Sequence, residues 1–412
     1  ISFTSSGDKN GTWGNGSVSV RNDGATVYST TYTPGDDAWT MTKEGGAYSY
    51  QRYVERSWIV ELFCGKKYET VYVNYNPTYE VKKEAIAVNF QGYDKPEINI
   101  TSKSDVVMNN SISALSGDVN ITSQGSIMTN SQNYVITANN INLTSGNNIG
   151  QALDEIGTIR PLMIEIVNDG TLTAKAENDV YVRYPYSDVS NIDISGKNVQ
   201  LSTVTGNMDM KDKTLKVVAD DLLLSAGSVN FDISQAKDNG SNLKVGTLSA
   251  RANDDITFVS DGSFTVKSLI SDNKGIINLE SKNGSIYAAD STGAYLDEHI
   301  YGGDIVLKAV NGEIGTPDKP LTFANAGIFN VQSNGDIYLK SADTMYVDLI
   351  SSATGSLNLN ANFGIIASAI TDAARVYNLY AGGDMNLVST YGNIENMLVN
   401  LDGVLSASAG YK

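Results

Sequence analysis

One histidine and one cysteine restrict the chemistry open to this 412-residue chain. His299, in Asp297-Glu298-His299-Ile300, is the only imidazole, so every scheme that needs a histidine acid or base has a single candidate. Its setting reads as a solvated corner loop. Cys64 follows the apolar run Leu62-Phe63 and reads as a small buried thiol; alone, it closes no intramolecular disulfide. A zinc site of Cys/His type cannot be assembled from one of each. No metal and no cofactor is expected.

Carboxylates are the other candidates. They pair at Asp36-Asp37, Asp220-Asp221 and Asp254-Asp255. Glycoside hydrolysis needs two carboxyl groups held roughly 5–10 Å apart across a substrate. Asp220 and Asp254, however, stand at turn positions that begin a coil or strand, where Asp satisfies local backbone donors. The phrases Gly302-Gly303-Asp304 and Gly382-Gly383-Asp384 resemble calcium-binding nonapeptide repeats, but those repeats run in tandem and these two are far apart. Both patterns read as turns. No catalytic residue is assigned, and the chain is not expected to be an enzyme.

Aromatic side chains form the remaining constellation. Of the chain's Phe, Trp and Tyr, 16 fall in residues 1–95, including Trp13, Trp39 and Trp58. Trp39, Tyr48, Tyr50, Tyr53 and Trp58 are the candidate ligand-binding set, a platform for sugar stacking or for a partner protein. Tyr48 and Tyr50, two apart on a strand, share one face. The competing reading makes the tryptophans the core of a small domain.

Charge divides at the same place. Residues 1–95 are nearly balanced, and residues 96–412 carry almost all of the net −17. Two composition regimes imply two units, 1–95 and 96–412, joined at Asp94-Lys95-Pro96. The first reads as a small antiparallel β-sandwich-like domain of short Val-, Tyr- and Thr-rich strands. The acidic balance argues against nucleic acid, which needs a concentrated basic surface. No stretch reaches the roughly 18 apolar residues of a membrane span.

From residue 117 a phrase recurs about every 26 residues: a turn residue, an apolar–polar–apolar strand, a polar step, then a glycine. Clear copies are GDVNITSQGSI (117–127), GIINLESKNGSI (275–286), GDIVLKAVNGEI (303–314), GSLNLNANFGII (355–366) and GDMNLVSTYGNI (383–394). Such a strand cannot bury its apolar side alone, and stacking copies buries it while pairing the backbone. The prediction is an all-β chain whose second unit is a parallel β-helix, a β-solenoid of about twelve coils spanning on the order of 60 Å. Asparagines, including those of Asn-x-Ser/Thr at Asn10, Asn15, Asn99, Asn109, Asn120, Asn142, Asn239 and Asn283, read as turn and ladder residues.

The blocks GDIVLKAVNGEIGTPDKPLTF (303–323) and GNNIGQALDEIGTIRPLMIEI (146–166) carry a resemblance. Each sets an Ile-Gly step before a short polar loop, Pro-Leu and another strand, and in this residues 96–412 resemble the shaft of filamentous haemagglutinin-type bacterial exoproteins. The resemblance implies a right-handed β-helix, two-partner secretion and an extracellular or cell-surface place. It also implies a virulence-associated adhesin or filament whose partners are host or neighbouring-cell glycans or proteins, or further copies in filaments or matrix. The start at Ile1 and the late repeat at Gly403 read as a segment of something longer. Two alternatives stand beside this: the shaft of a toxin-delivery or leukotoxin-type exoprotein, and a polysaccharide-cleaving β-helix.

Overall fold

A computed structural model describes seven strands within residues 1–96, and beyond them residues 97–151, 160–238, 240–290, 298–324, 326–368 and 375–410. All the regular structure described is β. The chain divides into two compact units, Ile1–Thr4 with Thr26–Asn89, and Ser5–Ala25 with Phe90–Lys412.

In the first unit, Trp39–Lys43 pairs antiparallel with Thr78–Val81, and Gly46–Val54 pairs antiparallel with Lys67–Tyr75. Ser2–Ser5 and Ala87–Phe90 form another two-stranded sheet.

The second unit is a β-solenoid of about 13 turns of parallel, stacked coils. The turn missed by counting phrases is the first, built from Glu97–Ser102, Val106–Met108 and the start of Ile112–Ser123. It lacks the glycine phrase but keeps the alternation. Ser17–Asn22 also joins this stack, parallel to Glu97–Ser102, with Val18 opposite Ile98 and Val20 opposite Ile100. Composition groups that strand with the aromatic segment, because alternation alone does not say which sheet a strand joins.

Period-two alternation puts one residue type at one height on every coil. In the long sheet Ile98, Val119, Ile141, Leu172, Ile192 and Leu215 follow one another in register. In the second sheet Phe231, Phe258, Leu279, Leu307, Val331, Ile350 and Leu379 do the same. Every one of these side chains is buried. At about 25 cal/mol per Å² of apolar surface removed from water, these continuous columns are the main stabilising term. Phe258 and Phe264 meet edge to face inside, with centroids 4.9 Å apart.

Corners form where alternation changes phase. Along Leu215–Ala226, Leu215, Val217 and Ala219 point inward, then Asp220 and Asp221 are both exposed, and Leu222 and Leu224 point inward again. Two consecutive outward residues turn the strand without ending it. At other corners glycine is required by close approach: a Cβ on Gly303 would lie 2.0 Å from the Lys274 carbonyl oxygen of the coil below.

Candidate functional site

The aromatic set is distributed over separate elements. Trp39 opens a strand opposite Val81, whereas Tyr48, Tyr50 and Tyr53 lie on Gly46–Val54, opposite Val73, Val71 and Tyr68. These are two different two-stranded sheets. Trp58, Cys64 and Asp36-Asp37 lie outside the described residues.

The solenoid's polar residues are organised as three kinds of ladder. Asparagine runs along the outside: Asn120 Nδ2 donates to Asn99 Oδ1 at 2.8 Å, and Asn142 Nδ2 to Asn120 Oδ1 at 2.7 Å. Asn130 donates to Asn109, and Asn311 to Asn283 at 3.3 Å. An amide side chain both donates and accepts, so identical copies satisfy one another up the stack.

The second ladder absorbs the aspartates. Asp304 Oδ1 accepts the Ile328 amide at 2.8 Å, Asp336 Oδ1 that of Ser356 at 2.7 Å, and Asp384 Oδ1 that of Val404 at 2.9 Å. Asp255 Oδ1 accepts the Ile276 amide at 2.7 Å, while Asp254 Oδ1 takes Asn273 Nδ2 at 3.0 Å. The Gly-Gly-Asp phrases and Asp254-Asp255 are thus acceptors for the next coil's turn. Asp220, expected to begin a coil, sits inside a strand at its bend.

The third ladder was not foreseen. Ser260, Ser281, Ala309, Ser333, Ser352 and Ala381 stand in register at one corner, and all are buried. Ser352 Oγ donates to the Gly335 carbonyl of the coil below at 2.7 Å and accepts the Gly355 amide of its own turn at 2.8 Å. Ser271 does likewise, to Asp254 O at 2.7 Å and from Gly275 N at 2.7 Å. The "polar step" of the repeat is an inward hydroxyl that satisfies backbone groups the bend would otherwise strand.

The two Ile-Gly steps that carry the resemblance are placed alike. Ile149 bridges Ile127 and Val180, and Ile314 bridges Ile286 and Ile337. The next residues, Gly150 and Gly315, have φ of 76° and 66°, and their amides bond Ile127 O and Ile286 O, each at 2.8 Å. Beyond each loop a buried leucine, Leu162 or Leu321, re-enters the core. In the coil above, Tyr181 donates to Asp179 Oδ2 at 3.2 Å and Tyr338 to Asp336 Oδ2 at 3.1 Å. Burial and the Asp179 carboxylate push Tyr181 up to about 12; burial and Asp336 raise Tyr338.

His299 is not in solvent: it is buried beside the second loop. Its amide donates to Thr322 Oγ1 at 2.9 Å, its Nδ1 lies 2.7 Å from the same hydroxyl, and its Nε2 lies 3.0 Å from the Ala289 carbonyl. A carbonyl only accepts, so the ring hydrogen that meets it is on Nε2. The lone histidine ties the Ala288–Asp290 corner to the strand Leu321–Ala324. Next to it, a concavity of about 480 Å³ opens between that corner and the loop at Thr316–Lys319.

Among the described residues, no group of three or more His, Cys, Asp or Glu could hold a metal ion, and no helix is long and apolar enough to cross a membrane. No protein-family model, curated protein or solved structure matches the chain.

Proposed function

We propose that this chain is a structural segment of a large secreted or surface-anchored bacterial adhesin or filament protein. Its solenoid is a stiff shaft, and the small aromatic unit or the corner loops make contact with a host or neighbouring-cell surface. The observation that carries this reading is the continuity of the stack: about 13 turns in which backbone pairing, core columns and polar ladders run from one coil to the next. Such a quasi-one-dimensional body resists bending because every turn is locked to both neighbours. The acidic surface, net −17 for the chain, favours solubility and separation of shafts.

The test is where the protein stands on the cell. Antibodies raised against residues 97–410 should label intact cells of the source organism, and brief external protease should remove the label. Deleting the protein should lower attachment to surfaces. Labelling only after permeabilisation would overturn the proposal.

A further inference from the structure

The concavity beside His299 lies between a corner of the stack and the second Ile-Gly loop. Its floor is an outward row in register over three successive coils, Thr247 opposite Thr265 and Thr265 opposite Tyr287. One wall is formed by Ala288, Ala289 and Asp290, and the other by the Ile-Gly loop with Asp318 and Lys319. An ion pair between Lys319 and Asp290 joins the walls. Tyr287 lies between Ile286 and Ala288, both buried, so alternation turns its ring outward onto the floor.

We propose that this groove binds a neutral, hydroxyl-rich oligosaccharide. A pyranose presents an apolar C–H face and a rim of hydroxyls. Recognition therefore needs a flat aromatic surface flanked by a few fixed polar groups in a cleft of a few hundred Å³. Tyr287 supplies the surface; the Thr247 and Thr265 hydroxyls, the Asp318 carboxylate and the Asp290–Lys319 pair supply the polar groups. Floor positions repeat at the coil spacing of about 4.8 Å, close to the length of one sugar in an extended chain.

The same observations disfavour other ligands. The lining carries two carboxylates and one lysine that is already paired, in a chain of net charge −17, so an anionic ligand is repelled. Within the floor, Phe264–Ser271 is paired on both sides, to Asn242–Ala252 and to Ile286–Ala288, and so offers no edge to an added peptide strand. The walls are tied down: His299 holds the Ala289 carbonyl, and the Ile-Gly loop is closed by Thr316 N to Lys319 O at 2.9 Å and Lys319 N to Thr316 O at 3.1 Å. His299 is a positioning residue here. The groove's binding is independent of the adhesin reading, since it is measured on the isolated chain.

Titration calorimetry of the full chain with cellotetraose, chitotetraose and maltotetraose, and with tetragalacturonate as the anionic control, tests this. At least one neutral tetrasaccharide should bind saturably, and more tightly than tetragalacturonate. Tyr287→Ala should weaken that binding roughly three- to tenfold, with the thermal transition unchanged, and Tyr287→Phe should restore it. Thr265→Val, which keeps the shape, should also weaken it. Absence of saturable binding with all three neutral sugars, preference for the anionic one, or unchanged binding in Tyr287→Ala would each overturn the proposal.

Discussion

His299 illustrates how much one buried polar group holds at the residue scale. Replacing it with Ala leaves the Thr322 hydroxyl and the Ala289 carbonyl without their partner and opens a cavity. His299→Ala should therefore destabilise the solenoid by about 1–3 kcal/mol for the unpaired polar groups alone, read as a lowered urea midpoint. A midpoint unchanged within error would mean that water replaces the ring at no cost. Tyr184 is a second case: fully buried, its hydroxyl lies 3.2 Å from Ser190 Oγ. Burial is the main cause that raises its pKa well above 10.0, with the Glu165 carboxylate adding to it and the Ser190 bond opposing it. Between the ordinary tyrosine value and the folded one, the unfolded chain binds fewer protons than the folded chain, so stability falls as pH rises. The contribution is complete below about pH 10 and lost above it. Tyr184→Phe should flatten the fall in melting temperature between neutral and alkaline solution, Tyr181 remaining as a smaller contributor.

At the scale of the element, the unit of stabilisation is the rung between coils. Asp304 gives its carboxylate to the Ile328 amide, so Asp304→Ala should cost about 1 kcal/mol, whereas Asp304→Asn, which keeps an acceptor oxygen in place, should cost less. Equal losses in chemical denaturation would show that charge, not the acceptor, matters there. The repeat phrase is legible in sequence because strand alternation and turn glycines obey local rules. Its third feature is not: Ser281 or Ser352 looks outward by polarity, yet it sits inside a corner. Only the coil below supplies the carbonyl that makes an inward hydroxyl favourable. Asp220-Asp221 shows the reverse. As a doublet it reads as candidate chemistry, and in the structure it marks the place where an unbroken strand bends.

For the whole molecule, stacking predicts local rather than global damage. Leu307 lies in a column between Leu279 and Val331, and Leu307→Ala should cost about 2–5 kcal/mol. In a body where each turn contacts mainly its neighbours, that cost should appear as faster amide hydrogen exchange in the turns around Ile305–Ala309, with turns near Glu97–Ser102 unaffected. Uniformly faster exchange would mean the solenoid unfolds as one cooperative unit.

Alternation, turn glycines and a repeat of about 26 residues determined the all-β solenoid from the sequence alone, since period two and backbone pairing leave stacking as the way to bury each strand. The turn reading of the Gly-Gly-Asp phrases and the asparagine ladder were legible from local pattern, whereas the amide that each of those aspartates accepts is set by the next coil. Tertiary structure alone decided which small residues turn inward, that His299 is buried, that Ser17–Asn22 joins the stack, and that Thr247, Thr265, Tyr287 and Lys319 line one groove. Those residues are far apart in the chain and carry no shared motif. Corners reset the phase of alternation, and insertions between copies shift the count. Which side chains meet is therefore fixed by the register between coils, a long-range property that no local pattern encodes.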